Sequence, residues 1–349
     1  MKNSNIILLL PLIGVSLGCS NSDSLKRTEN KVPTVSQIEK HAPEAKVDVF
    51  EIPTIKTLYV TNPKGSNIYE KPDKQSAVLE TLEYGYKVEV IGEAASWYQI
   101  KERIGRSFVR NGQQIQSSGW EVVNIPKLDV GPLIQVKLTA KDLYLTSDNA
   151  TINGKLKINL ISKDEFEKDK QEKDKFIVPR NTLVSQKDTV LIVSTGNGQK
   201  KKYVSSPNAE ESRKDYTYVG HSELLNSFLL SIGYYEGSEY MLYSSEKGEE
   251  IISFNDYPYI SPDGRYIVSL YTNPYDQTTD FQLYKIIDSK TIKKELEASF
   301  SKWMAALEPQ EIYWQDANTI VVKVLHAQAF WDEGGDLNKD FQYLQIKIL

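Results

Sequence analysis

The sequence predicts an all-β protein in which a small barrel precedes a larger β-rich domain. Two observations indicate this class. The chain contains 21 tyrosines among 349 residues, and tyrosine, like the β-branched residues, is enriched in strands. Short apolar runs are also divided by pairs such as Asn153-Gly154 and Asn197-Gly198, and Asn-Gly between apolar runs marks a hairpin. We expect one or two helices beside these strands.

The N terminus has the three parts of an export signal. An apolar run, Ile6 to Leu17, follows Lys2 and ends at Ser16-Leu17-Gly18-Cys19. A signal peptide needs a positive start, roughly 7–15 apolar residues and small residues at the cut. This run is shorter than the approximately 20 residues that cross a bilayer. The segment resembles a bacterial lipoprotein signal, so residues 1–18 are predicted as signal peptide and Cys19 as the lipid attachment site. An ordinary secretory signal with an incidental cysteine is the alternative.

Cys19 is the only cysteine of the chain. Two or more acyl chains (palmitate or similar) would anchor the protein stably to a membrane, so the membrane is a predicted partner through the N-terminal lipid. Acylation would consume the thiol and exclude both disulfides and thiolate metal sites. By the same resemblance, Ser20 instead of aspartate implies an outer-membrane lipoprotein of the cell envelope, facing the periplasm if the host has two membranes.

A polar segment follows the cysteine. Residues 19–56 carry Pro33, Pro43 and Pro53 and show no long periodic stretch. We predict a flexible tether whose root-mean-square span would be on the order of 30–35 Å.

Residues 57–123 give the clearest strand pattern. Lys87 to Ile91 alternates polar and apolar side chains between Gly85 and Gly92, which is typical of a half-buried strand. Trp97 and Trp120 are large enough to fill a small interior. The spacing predicts a small barrel of roughly five short strands.

The residues of this segment also resemble the bacterial SH3 (SH3b) family. The matching positions are Asn67, Pro72, Gly85, Val88, Val90, Trp97, Ile100, Gly119 and Trp120. The chain departs from the pattern at Tyr69, which replaces an arginine, and at Glu121, which separates Trp120 from Val122. The stretch 101–118 is longer than usual.

The resemblance implies an SH3-like fold and a non-catalytic targeting module for the cell wall or an envelope protein. An envelope protein or peptidoglycan is therefore the second predicted partner. We take the aromatic side chains of this module as candidate ligand-binding residues: Tyr59, Tyr69, Trp97, Tyr98 and Trp120.

Residues 124–134 contain Pro126, Gly131 and Pro132 and are predicted as a linker. The β-rich domain, residues 135–349, follows with many short strands. Within it, Tyr259 to Val268 resembles the Ser-Pro-Asp-Gly blade turn of TolB-like β-propellers, and Trp314 to Val321 is a weaker copy. The resemblance implies a propeller-like or irregular assembly of sheets with blade-like repeats.

Three stretches leave room for helices. Lys163 to Lys175 is almost wholly charged and is predicted as a solvated loop or a short exposed helix. Ser222 to Ile232 is ambiguous between helix and strand. An apolar face at helical spacing predicts a helix before Pro309, through Leu296, Phe300, Trp303, Met304 and Leu307.

The sequence offers little for catalysis. It contains neither Gly-x-Ser-x-Gly nor a zinc-protease or nucleotide-binding motif. His221 and His326 have no readable partner, and we expect neither a catalytic site nor a cofactor. Asp336, Asn338 and Asp340 have the spacing of a calcium loop, but Phe341 stands where that loop needs glycine, so no metal is predicted.

The charge of the chain bears on which classes of partner it could bind. The formal net charge is −5, from 42 basic and 47 acidic residues. The sequence has no cluster of basic residues that would predict nucleic-acid binding. The function predicted from the sequence is a membrane-anchored envelope lipoprotein that binds a cell-wall or protein partner without catalysis. A periplasmic immunity protein that neutralises a secreted toxin is the alternative, and an envelope glycan hydrolase is the third hypothesis.

Overall fold

The computed structural model describes residues 48–110, 113–168, 176–209, 211–306 and 311–349. Val47–Leu349 form one compact unit. The described residues are mostly in strands, so the prediction of an all-β protein is confirmed. Cys19 and the predicted signal peptide lie outside the described residues. In the part of the chain that is described, no helix combines the length and apolar character needed to span a membrane.

Seven strands build an N-terminal module. They are β1 Lys56–Val60, β2 Ser66–Tyr69, β3 Val78–Leu82, β4 Lys87–Ala94, β5 Trp97–Arg110, β6 Gln113–Pro126 and β7 Val130–Gly131. The β-rich domain contains β8 Leu156–Ile161, β9 Val184–Lys187, β10 Val190–Ser194, β11 Lys200–Val204, β12 Asp215–Ser222, β13 Ser227–Gly233, β14 Ser238–Ser244, β15 Glu250–Phe254, β16 Tyr259–Ile260, β17 Tyr266–Asn273, β18 Thr278–Asp288, β19 Thr291–Phe300, β20 Trp303–Ala305, β21 Ile312–Trp314, β22 Thr319–His326 and β23 Gln342–Ile348.

The N-terminal module is one antiparallel sheet in the order β3-β2-β6-β5-β4-β1-β7. Strands β3 and β7 remain edges, so the sheet is curled without closing into a barrel. All seven strands contribute to one core, whose members are Val60, Ile68, Leu82, Val88, Val90, Ile100, Ile104, Val123, Ile125 and Val130. Alternate residues point inward, as the pattern Lys87 to Ile91 predicts. Residues 124–126 continue β6, and β7 pairs with β1, so part of the predicted linker belongs to this sheet.

Strands β5 and β6 form a long ribbon. They pair from Trp97 opposite Pro126 to Arg110 opposite Gln113. The inner half of the ribbon covers the core, and the outer half extends beyond it. At the end of the core, Arg106 binds Glu121 with two hydrogen bonds of 2.7 and 2.6 Å. This two-point contact lowers the pKa of Glu121 and joins the two strands where the core ends.

In its described residues, the β-rich domain consists of four sheets that pack in chain order. The first contains β9–β11, the second β12–β15, the third β16–β19, and the fourth has the order β20-β22-β23-β8 with β21 on β22. Three separate cores join the first sheet to the second, the second to the third, and the third to the fourth. The early strand β8 pairs with β23 at the end of the chain, so the domain is fastened across its length.

The turn that resembles a propeller blade joins β16 to β17. The hydroxyl of Ser261 accepts the N–H groups of Arg265 and Tyr266 at 3.1 and 2.9 Å. Gly264 has φ +71°, a backbone conformation that glycine adopts without strain. The weaker copy joins β21 to β22, and Trp314 Nε1 donates to the carbonyl of Tyr259 at 3.1 Å. The two predicted repeats therefore occupy corresponding turns and touch each other.

The helix predicted before Pro309 is wrong. Leu296 and Phe300 lie on β19, and Trp303 and Met304 lie on β20; Leu307 is outside the described residues. The apolar positions were ambiguous because a spacing of four residues fits a helical face and one face of a strand. Ala298 is buried together with Leu296 and Phe300. Burial at every second residue is the pattern of a strand. The ambiguous stretch at Ser222 to Ile232 ends in β13.

One short α-helix, α1 Lys163–Lys168, is present among the described residues. It lies in the charged stretch that was predicted as a loop or short helix. Phe166 is its one buried residue, and its ring contacts those of Tyr313 and Tyr343 at 5.2 and 4.7 Å. A single apolar side chain thus docks an otherwise charged helix on the fourth sheet.

The N-terminal module packs directly on the β-rich domain. Tyr59, Val136 and Ala329 form a small shared core. The hydroxyl of Tyr84 accepts the N–H of Lys137 at 2.7 Å, and Leu138 N–H donates to Gln342 Oε1 at 2.6 Å. The segment after β7 therefore fixes the two parts to each other.

Candidate binding surface of the N-terminal module

The structure separates the five candidate ligand-binding aromatics into different places. Tyr59 is 3% exposed and packs against Val136 and Ala329 of the β-rich domain. Burial raises the pKa of its hydroxyl. Tyr59 therefore contributes to the contact between the two parts of the molecule and presents no surface to a ligand.

Tyr69 and Trp97 lie together on the outer side of the sheet. Their rings meet edge to face with centroids 5.2 Å apart, and both are at least nine-tenths buried. Asn124, which pairs with Tyr69 across β2 and β6, donates to the carbonyls of Tyr69 and Glu70 at 3.3 and 3.0 Å. This group supports the outer side of the sheet and exposes little aromatic area.

Tyr98 points the opposite way from Trp97, because successive strand residues alternate. The ammonium groups of Lys56 and Lys127 lie 4.4 and 4.7 Å from the centre of its ring. Both lysines also bind Glu93, at 2.6 and 2.9 Å, and these bonds lower the pKa of that carboxyl. The ring is occupied by cations of the protein itself.

Trp120 is the candidate that faces solvent. It is 44% exposed on β6, and the ring of Phe50 meets it edge to face at 5.6 Å. Phe50 is 65% exposed and belongs to a short 3-10 helix, Val49–Glu51, that Asp48 caps through the N–H of Phe50 at 3.0 Å. Two aromatic rings thus stand together on the outside of the module.

The register places three more side chains beside them. Arg103 lies opposite Trp120 and Lys101 opposite Val122, and alternation puts all four on the outer side of the ribbon. Val122 is 37% exposed, and Lys101 lies 3.8 Å from Glu89. We call this set, Phe50, Lys101, Arg103, Trp120 and Val122, the ribbon face. It combines an exposed apolar centre with one exposed cation, Arg103, while the side chain of Lys101 is nine-tenths buried beside Glu89.

The ribbon face offers what a binding surface requires. Aromatic side chains present large rigid contact area, and they are common at the centres of recognition sites. Arg103 suits a partner that carries carboxylates or phosphates. Of the predicted residues, only Trp120 belongs to it. Phe50 was assigned to the tether, because no sequence signal indicated that this segment returns to the sheet.

The N-terminal module is similar to a known domain family. Residues 64–113 match the family model of the bacterial SH3 domain. This range begins just before β2 and ends at the first residue of β6, so it contains β2 to β5. The resemblance predicted from the sequence is confirmed for this segment. Bacterial SH3 domains are commonly modules that bind peptidoglycan or the cell wall. No curated protein and no solved structure matches the chain.

The acidic loop near the C terminus uses its oxygens for the turn. Asp332 Oδ1 accepts the N–H groups of Gly334 and Asp336 at 2.8 and 2.9 Å. Asn338 Oδ1 accepts the N–H of Asp340 at 3.0 Å, and Asp340 forms an ion pair with Lys137. Within the described residues, no group of three or more histidine, cysteine and carboxylate side chains is placed to hold a metal ion.

Proposed function

We propose that this protein is a lipid-anchored envelope protein that binds the bacterial cell wall through the ribbon face and catalyses no reaction. The match of residues 64–113 to the bacterial SH3 domain is the observation that carries the proposal. The lipoprotein-like sequence ending at Cys19 supports the location. The exposed pair Phe50 and Trp120 supports the surface.

The ribbon face has the chemistry that peptidoglycan requires. The apolar side of a sugar ring packs on an exposed indole ring, so Trp120 and Phe50 would receive the glycan. The peptides of the wall carry carboxylates, and Arg103 lies across the ribbon from Trp120 to pair with them. Lipid at Cys19 would hold the module near the wall, where confinement raises its effective concentration.

Sedimentation with purified peptidoglycan sacculi tests the surface. We expect the detergent-solubilised full chain to co-sediment with sacculi, and Trp120→Ala to weaken binding at least tenfold, or about 1.4 kcal/mol. Trp331→Ala is the matched control, since Trp331 is 40% exposed and also has one phenylalanine neighbour, Phe330, at 4.9 Å. The control should bind like the unchanged protein. Equal losses for both variants, or no sedimentation of the unchanged protein, would refute the proposed surface.

Cell fractionation tests the anchor separately. We expect the unchanged protein in the membrane fraction and Cys19→Ser in the soluble fraction, because the substitution removes the acylated thiol. Ser16→Ala is a control within the same signal that keeps the cysteine, and it should remain with the membrane. A Cys19→Ser protein that stays with the membrane would contradict lipid anchoring without affecting the sacculus result.

A further inference from the structure

A cleft of about 520 Å³ lies in the β-rich domain, away from the ribbon face. The first and second sheets both line it. Val193 of β10 and Phe228 of β13 lie at its base as buried core residues, Leu183 adds half-buried apolar surface, and Tyr218, His221 and Ser245 contribute polar groups. Its volume is in the range of small-molecule sites, which are about 300–1,000 Å³.

A β-bulge brings two of these polar residues to the same side. Tyr218 pairs with Leu230 and His221 with Phe228, and the register shifts between Tyr218 and Gly220. Leu230 and Phe228 are two residues apart and share a face, so Tyr218 and His221 also share a face although three positions separate them. Bulges re-aim side chains in this way and are common beside functional sites.

His221 fixes the direction of the Ser245 hydroxyl. Its Nε2 lies 2.9 Å from Ser245 Oγ, and its Nδ1 is buried with no hydrogen-bond partner among the described residues. Buried donors without an acceptor are rarer in proteins than under-satisfied acceptors, which favours the tautomer with its proton on Nε2. His221 then donates to Ser245, and the Ser245 proton is free to donate into the cleft. The same tautomer leaves His221 unable to act as a base toward Ser245.

Tyr218 and Arg180 supply further groups. The Tyr218 hydroxyl accepts the N–H of Arg180 at 3.3 Å, so its own proton also remains available. The guanidinium of Arg180 forms an ion pair with Glu223 at the cleft. Arg180 keeps 39% and Glu223 keeps 75% of its side chain exposed. The rim therefore offers both a donor and an acceptor to an incoming molecule.

We propose that this cleft is a binding site for a neutral saccharide of one or two rings. A sugar presents hydroxyls that donate and accept, which suits Ser245, Tyr218, Arg180 and Glu223, and an apolar ring face, which suits the half-buried side chain of Leu183 in the wall of the cleft. A simple anion fits less well, because Glu223 and Glu246 outnumber Arg180 among the charged groups lining the cleft. The site is separate from the ribbon face and does not depend on the function proposed for it.

Saturation-transfer NMR and calorimetry with the detergent-solubilised full chain test this site. The probes are N-acetylglucosamine and N,N′-diacetylchitobiose, with acetate as the anionic comparison. We expect at least one sugar to bind, and Tyr218→Phe and Ser245→Ala each to raise its Kd at least fivefold. Tyr275→Phe is the matched control for Tyr218→Phe: it also removes a tyrosine hydroxyl, but from a residue that is 81% exposed. It should leave the Kd unchanged. Trp120→Ala should also leave it unchanged, which separates this site from the ribbon face.

Three results would overturn the saccharide site: no transfer to either sugar, an unchanged Kd in both variants, or binding of acetate that excludes the sugar. Melting temperatures of all variants identify any that fail to fold. Because Tyr218→Phe removes a hydroxyl from β12 and Ser245→Ala removes one from the turn after β14, either one decides the outcome if the other is unstable.

Discussion

Asp256 shows how burial acts on a single carboxyl. Its Oδ1 accepts the N–H of Tyr257 at 2.6 Å, which favours the ionised form. Burial outweighs this bond and raises the pKa of Asp256 to about 6. An aspartic acid in an unfolded chain titrates near pH 4. The folded protein therefore binds more protons than the unfolded chain between about pH 4 and 6, and stability is lost as the pH rises through that window.

Asp256→Asn should remove this loss. We expect the free energy of unfolding at pH 7 to rise by on the order of 1–3 kcal/mol, because the amide keeps an acceptor oxygen and carries no charge. The gain should shrink toward zero below about pH 4. Urea unfolding at several pH values measures it, with exposed Asp276→Asn as control. A difference of the same size at pH 4 and pH 7 would contradict the titration of Asp256.

Some strands of this molecule need glycine where another part of the chain packs closely against the backbone. Gly220 lies at the bulge of β12, where an added Cβ would be 2.9 Å from Ile177 Cγ2 and 3.1 Å from the Val178 carbonyl carbon. This close approach allows Val178 and His221 to exchange two backbone hydrogen bonds of 3.0 and 2.8 Å. Gly105 on the ribbon has no atom within 4 Å of the same position.

The two glycines therefore make a matched pair. We expect Gly220→Ala to lower the free energy of unfolding by about 1–3 kcal/mol, the usual effect of overpacking. Gly105→Ala should leave it unchanged or raise it by up to about 1 kcal/mol, because alanine loses less backbone entropy. Denaturant titration of both variants gives the comparison. Equal effects at the two positions would mean that the close approach at Gly220 does not limit side-chain size.

Prediction from sequence succeeded for elements with local signals. The alternating residues Lys87 to Ile91 form a strand, and Asp263-Gly264 form a turn, as predicted. It failed where two periods coincide, as between Leu296 and Met304. It also missed the ribbon face, because Phe50 reaches Trp120 across about 70 positions of the chain. The contact between His221 and Ser245 depends on the bulge in β12, and no pattern in the sequence predicted that bulge.

At the scale of the whole molecule, the two parts of the described unit share a small core. Val136 is 3% exposed where the N-terminal module meets the β-rich domain. We expect the unchanged protein to unfold in a single calorimetric transition. Val136→Asp should split it into two, since an unpaired buried charge is strongly destabilising. Leu128→Asp, at a residue 92% exposed, is the control and should keep one transition. Two transitions in the unchanged protein would show that the contact does not couple the parts.

We propose that the ribbon face binds the cell wall. Hydrogen–deuterium exchange of the full chain with and without sacculi tests it most directly. If the ribbon face binds the wall, exchange should slow in β5, β6 and the segment around Phe50, with little change in the edge strand β3. Protection confined to the β-rich domain, or no protection anywhere in a sample that has sedimented with the sacculi, would contradict it.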